Sequence, residues 1–135
     1  MHLRFGTLAD WAGPGAAGKL IIVGMFGRII DAAGVRPIAL PPCYLVAMFE
    51  AESTEGARHV CSIQRQDMDG RDLIQPMTAT VEFVPQGPGR RLSAHVFTPL
   101  FGLRVPTRGE YAFRFLQGDR YRGSVPFEVI APPAT

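Results

Sequence analysis

The chain is 135 residues long, enough for one domain with a real core and too short for two. Its 15 glycines and 12 prolines punctuate a 47% hydrophobic composition, which disfavours a helical domain because both residues weaken helix interiors. A formal net charge of +2 is too small to imply nucleic acid or an anionic membrane as partner.

Met1 to Trp11 lacks the apolar core of a signal peptide. The longest apolar run, Leu20 to Ile30, is interrupted by Arg28 and is too short to span a bilayer. A cytoplasmic location is the default expectation. Lys19 is the only lysine, a skew toward arginine that points to a GC-rich bacterial genome rather than to a chemical need. The two cysteines, Cys43 and Cys61, are too few for a disulfide-framed fold. If Ser53 to Ala57 closes a hairpin with Glu50 near Arg58, Cys61 falls opposite Ala47, and both thiols stay free and buried.

In chain order, His2 to Trp11 reads as a first strand. Gly13-Pro-Gly-Ala-Ala-Gly18 can only be a loop. Leu20 to Ile30 reads as a strand with a bulge or kink, because β-branched residues and internal glycines disfavour a helix. Pro37, Pro41 and Pro42 mark an irregular approach to a strand at Tyr44 to Ala51. His59 to Gln66 follows, and Asp69-Gly70 is the strongest short hairpin signal. Thr78 to Val84 places Val81 and Phe83 on one face, with Thr80 and Glu82 on the other. Leu92 to Thr98 directs Leu92, Ala94 and Val96 inward, and a short run spans Phe101 to Val105.

The final hairpin carries the clearest pattern. Tyr111, Phe113 and Phe115 share one face of its first strand, and Tyr121, Val125, Phe127 and Val129 share a face of its second. A two-residue turn would set Phe115 opposite Arg122 and separate the apolar sets. A three-residue loop, Gly118 to Arg120, sets Phe115 opposite Gly123 and Phe113 opposite Val125, which keeps the core set together. Pro126 cannot donate to a ladder, so the last strand is expected at an edge or bulged there. The whole pattern predicts an all-β fold: one antiparallel β-sandwich, immunoglobulin-like or C2-like, of about eight strands over residues 1–135.

Three segments together carry a family likeness. They are Ala9-Asp10-Trp11-Ala12, the run Gly18-Lys19-Leu20-Ile21-Ile22-Val23-Gly24-Met25-Phe26 after a short glycine loop, and Gly109-Glu110-Tyr111-Ala112-Phe113-Arg114. They resemble a group of small bacterial β-sandwich proteins classed as a domain of unknown function. The resemblance implies a fold and a bacterial origin, and brings no catalytic residue with it.

Several near-motifs fail on their chemistry. Gly13 to Lys19 has the glycine and lysine spacing of a phosphate-binding P-loop, but Leu20 stands where a magnesium-holding Ser or Thr is needed. A β-branched run then follows in place of a helix whose amides would face the phosphates. Asp67, Asp69 and Asp72 surround an Asp-Gly turn and form a weak calcium candidate, to which Asp31 or Asp119 could add oxygens. His59 and Cys61 share a strand face, but no third ligand stands near them. Cys61 or Ser93 with His95 could be assembled into a nucleophilic site, with no elbow or oxyanion signature to support it. The arginines of the second half alternate with acidic residues, as on a solvated mixed face.

Val96 to Leu103 packs large apolar residues around Pro99. Either this segment plugs one end of the sandwich, or it presents an apolar contact surface. The second reading makes Phe97, Leu100, Phe101, Leu103 and Arg104 interface residues, with Pro126 on an edge strand open to backbone pairing. The expectation is a non-enzymatic protein–protein interaction module with no cofactor. It would be an accessory or structural subunit, attached to other protein subunits of a larger assembly. The alternatives are a sandwich that binds calcium or carbohydrate, and a small hydrolase-type enzyme.

Overall fold

The computed structural model describes residues 1–71, 76–84 and 89–134. Alternating apolar and polar residues, cut at glycines and prolines, set eleven strands among the described residues. The first five are β1 (His2–Pro14), β2 (Leu20–Phe26), β3 (Arg28–Ile30), β4 (Ile38–Ala39) and β5 (Cys43–Glu52). The next three are β6 (Arg58–Asp67), β7 (Met77–Glu82) and β8 (Arg91–Leu100). The last three are β9 (Arg104–Val105), β10 (Gly109–Gln117) and β11 (Arg120–Ile130). Single 3-10 turns at Ala16–Gly18 and Ser53–Glu55 complete the regular structure, and no α-helix occurs among the described residues.

The fold is therefore all-β, but it is not simply eight strands in one sandwich. A four-stranded sheet has the order β2-β1-β5-β8, a five-stranded sheet the order β3-β11-β10-β6-β7, and β4 pairs with β9 alone. One core joins the two large sheets. Leu45, Ala47 and Phe49 of β5 meet Phe113 and Phe115 of β10, with Phe49 edge-on to Phe115 at 5.2 Å between ring centroids. Phe127 stacks on both Tyr111 and Phe113 in the same core.

Two sequence expectations change here. The apolar run from Leu20 to Ile30 is not one kinked strand, because it breaks at Gly27. Its first part edges the four-stranded sheet beside β1, while its second part joins the other sheet, parallel to β11. The run's other internal glycine, Gly24, has φ 69° and lies against the Asp10 side chain of the neighbouring strand. Strands β5 and β6 do not form a hairpin either. They belong to different sheets, so Cys61 pairs with Ala79 of β7, while Ala47 pairs with Gly6 and Val96. The link is a crossover because β5 is already flanked by β1 and β8. Both thiols are nevertheless free and buried.

The closing hairpin has the expected register, with Phe115 opposite Gly123 and Phe113 opposite Val125. It reaches that register differently. Gln117 pairs with Arg120 around a two-residue Gly118-Asp119 turn, and the pairing shifts between Phe115 and Leu116, so Arg122 is a bulged residue. Gly123 serves a second purpose, since a Cβ there would collide with Leu3 where β11 lies against β1. Strand β11 is flanked on both sides only over Glu128–Ile130, where β3 joins it, and at Pro126 it pairs with β10 alone, a local edge as expected. Pro126 precedes that paired stretch.

Candidate interaction surface

The two large sheets differ in what their outer faces carry. On the five-stranded sheet the outward cross-strand neighbours are mainly polar: Ser124, Arg114 and Gln64 in one row, Leu116, Ser62 and Thr78 in another, Arg58 and Glu82 in a third. Arg114 also bonds the Gln66 side chain and lies 5.0 Å over the Tyr121 ring. An antiparallel sheet with one solvated face normally looks like this.

The outer face of the four-stranded sheet does not. Phe5, Met48 and His95 stand in one cross-strand row, Thr7, Val46 and Phe97 in the next, and Ala9, Tyr44 and Pro99 in a third. Val46, Ala9 and Ala12 are fully covered there by Leu20, Ile22, Tyr44 and Phe97, forming a second small apolar cluster outside the main core. Phe5 remains 39% exposed and Phe101 61% exposed, and Phe101 meets Tyr44 edge-on at 6.1 Å. His95 stacks on Phe97.

Charges close this face at one end. The Glu50 carboxylate accepts a 2.6 Å bond from Arg4 Nη1 and lies 3.5 Å from His2 Nε2 and 3.8 Å from Arg91 Nη1. Arg91 also reaches Glu52 at 3.7 Å. An apolar centre with a polar, internally paired rim is the usual anatomy of a protein interface.

The six residues expected at an interface are not all brought together. Phe97 and Phe101 belong to the apolar face. Leu100 does not: it is 3% exposed, opposite Cys43, inside the main core. The chain stays in β8 through Pro99 instead of turning there, which is tolerated because β8 is an edge strand. Leu103 packs against the main core, and its carbonyl accepts the Leu40 N–H. Arg104 is exposed and borders a small hollow beside Asp31. Pro126 is exposed on the other sheet.

The metal and catalytic candidates find other uses. Asp67 Oδ1 accepts the N–H groups of Asp69 and Arg71 at 2.9 and 3.0 Å, and Oδ2 accepts Arg71 Nε at 2.9 Å. These bonds, led by the Arg71 backbone, hold its pKa below the ordinary value. Asp69 is 3.6 Å from the same arginine, and Asp72 lies outside the described residues. Asp31 is bridged by Arg36 and Arg108 at 2.9 and 3.0 Å. Burial works to raise its pKa, but the bonds from Arg108, Arg36 and Gly34 prevail and lower it. Asp119 is exposed in the last hairpin turn. No group of three potential metal ligands occurs among the described residues.

His59 is held on both ring nitrogens, by the Gly56 carbonyl at 3.1 Å and the Gln117 amide at 2.9 Å. Cys61 faces the core, on the opposite layer from Ser93 and His95. Burial raises both thiol pKa values, that of Cys43 to about 11 with Asp10 adding to the effect. Neither is poised as a thiolate near neutral pH.

A family model described as a family of unknown function, DUF6941, matches residues 4–130. The chain belongs to that family. The match runs from β1 to the end of β11, so it takes in all three segments that carried the likeness in the sequence. No curated protein and no solved structure matches the chain. Among the described residues, no helix is long and apolar enough to cross a membrane.

Sequence reasoning missed Phe5, Tyr44 and Met48 as surface residues. One signal was available in β5. Its run Leu45-Val-Ala-Met-Phe49 is apolar at every position, which marks a strand covered on both faces.

Proposed function

We propose that this protein is a non-enzymatic interaction module, an accessory subunit that docks onto another protein through the outer face of its four-stranded sheet. The observation that carries this reading is the contrast between the two outer faces. One is mainly polar, with Val60 and Tyr121 as isolated exposed apolar or aromatic residues, and the other presents Phe5, Met48, Phe97 and Phe101 around an already buried Val46. Contiguous exposed apolar surface is costly in water and is usually kept where something covers it. The rim charges are paired within the chain, so the occupant is a partner subunit with an apolar contact surface rather than one selected by net charge. In this reading the two large sheets are the layers of an immunoglobulin-like or C2-like sandwich, and the module works in the cytoplasm of a bacterial cell. Two raised thiol pKa values count against a thiolate nucleophile.

Phe101→Asp is the sharpest test, because this side chain is mostly exposed while Phe97 also supports the second cluster. The variant should keep the wild-type melting midpoint and lose the subunit that co-purifies stoichiometrically from the native host. Retention of that subunit by both Phe101→Asp and Phe5→Asp would overturn the assignment. A wild-type protein that sediments as a two-fold dimer, broken by the same substitutions, would instead identify the occupant as a second copy.

A further inference from the structure

A well-defined concavity lies on the other sheet, where the chain crosses from β2 to β3 past the flank of β11. It is an open groove of about 960 Å³. Phe26, Met68, Ala112 and Pro126 give it apolar walls, and Met68 is 75% exposed. Its charged lining consists of three carboxylates, Asp67, Glu110 and Glu128, against one guanidinium, Arg28.

The pairing of these charges is incomplete. Glu110 and Glu128 are direct cross-strand partners in β10 and β11. Like charges placed directly opposite each other on a sheet repel. Arg28 Nε answers Glu128 at 2.5 Å, and Arg71 answers Asp67 at 2.9 Å. Glu110 has no ion pair or hydrogen bond among the described residues. The groove thus holds an exposed carboxylate, repelled by its neighbour, at the border of an apolar trough.

We propose that this groove binds an extended segment of a partner protein that carries an arginine between apolar residues. The guanidinium sits on Glu110 and offsets its repulsion with Glu128, as bidentate arginine–carboxylate pairs do. The arginine's aliphatic stem lies along Ala112 and Pro126, and a neighbouring apolar side chain fills the space between Phe26 and Met68. The volume suits a short stretch of chain better than a lone side chain. This site is separate from the apolar face around Phe101, and either can fail without the other.

The probe is the peptide acetyl-Leu-Arg-Leu-Arg-Leu-amide, titrated to millimolar concentration into isotope-labelled protein and followed by backbone amide shifts. Saturable shifts should centre on Glu110, Ala112 and Glu128. Binding should weaken about tenfold in Glu110→Gln and with rising salt. The same peptide with citrulline for arginine, isosteric but neutral, should fail to compete. Glu110→Gln should also raise the melting midpoint, since it removes the like-charge pair, so weaker binding would not reflect a damaged fold. Phe101→Asp should bind the peptide as the wild type does. Absence of saturable shifts, equal binding of the citrulline peptide, or unchanged affinity in Glu110→Gln would each overturn the proposal.

Discussion

Arg65 is the least comfortable residue in the fold, and replacing it should stabilise the protein. It lies on β6 opposite Phe113, 2% exposed, with Nε and Nη1 buried and without a hydrogen-bond partner among the described residues. Burial lowers its pKa, and the nearby Tyr111 opposes that shift. Each unmet donor costs on the order of 1–3 kcal/mol, and exchanging buried ion pairs for well-packed apolar residues is often neutral or stabilising by about 1–4 kcal/mol. Methionine matches the length of the aliphatic stem and adapts to irregular space. Arg65→Met is therefore expected to stabilise by about 2 kcal/mol, which for a chain of this size raises Tm by roughly 6–10 °C. Urea denaturation followed by circular dichroism measures it, with the midpoint rising at unchanged slope. A loss of 1 kcal/mol or more would refute the reasoning, because it would mean that the guanidinium is satisfied in solution.

Other expectations follow from single contacts. Cys43 ionises near pH 9 when unfolded and at about 11 in the fold, so it contributes stability below pH 9 that is lost as the pH rises toward 11. The loss amounts to about 2–3 kcal/mol, and Cys43→Ala should flatten that alkaline limb in pH-dependent melting curves. Asp31 works in the opposite sense, since its folded pKa lies below its unfolded value of 3.8. Its contribution is present above that value and disappears as the pH falls through the depressed one, so Asp31→Asn should reduce the acid sensitivity seen below about pH 4. Gly123 has φ 138° and sits against Leu3, so Gly123→Val should destabilise by about 3 kcal/mol or more, measured by the same denaturation.

Local alternation was legible in the chain, and long-range pairing was not. The apolar faces of β7 and the residue just past it, of β8 and of β10 follow directly from Val81 and Phe83, from Leu92 and Ala94, and from Tyr111, Phe113 and Phe115. The last hairpin's register was readable because a one-residue slip would expose Val125 and Phe127. The bulge at Arg122 was not readable, since a longer loop gives the same pairing from Phe115 onward, and it turns Tyr121, expected on the core face, outward to 53% exposure. Which sheet a strand joins depends on partners distant in sequence. The short link from Glu52 to Arg58 looks like a hairpin turn, yet it carries the chain from one layer to the other. The same limit hid both candidate surfaces. Phe5, Met48 and Phe97 become neighbours only through the β1-β5-β8 order, and Glu110 meets Glu128 only across β10 and β11.

Radical footprinting of the free protein and of its assembled form, read residue by residue, tests the docking face most directly. Oxidation of Phe5 and Phe101 should fall on assembly, while Tyr121, 53% exposed on the polar sheet, should react as before. Protection of Tyr121 with Phe5 and Phe101 unchanged would contradict the account, because it would place the partner on the opposite face.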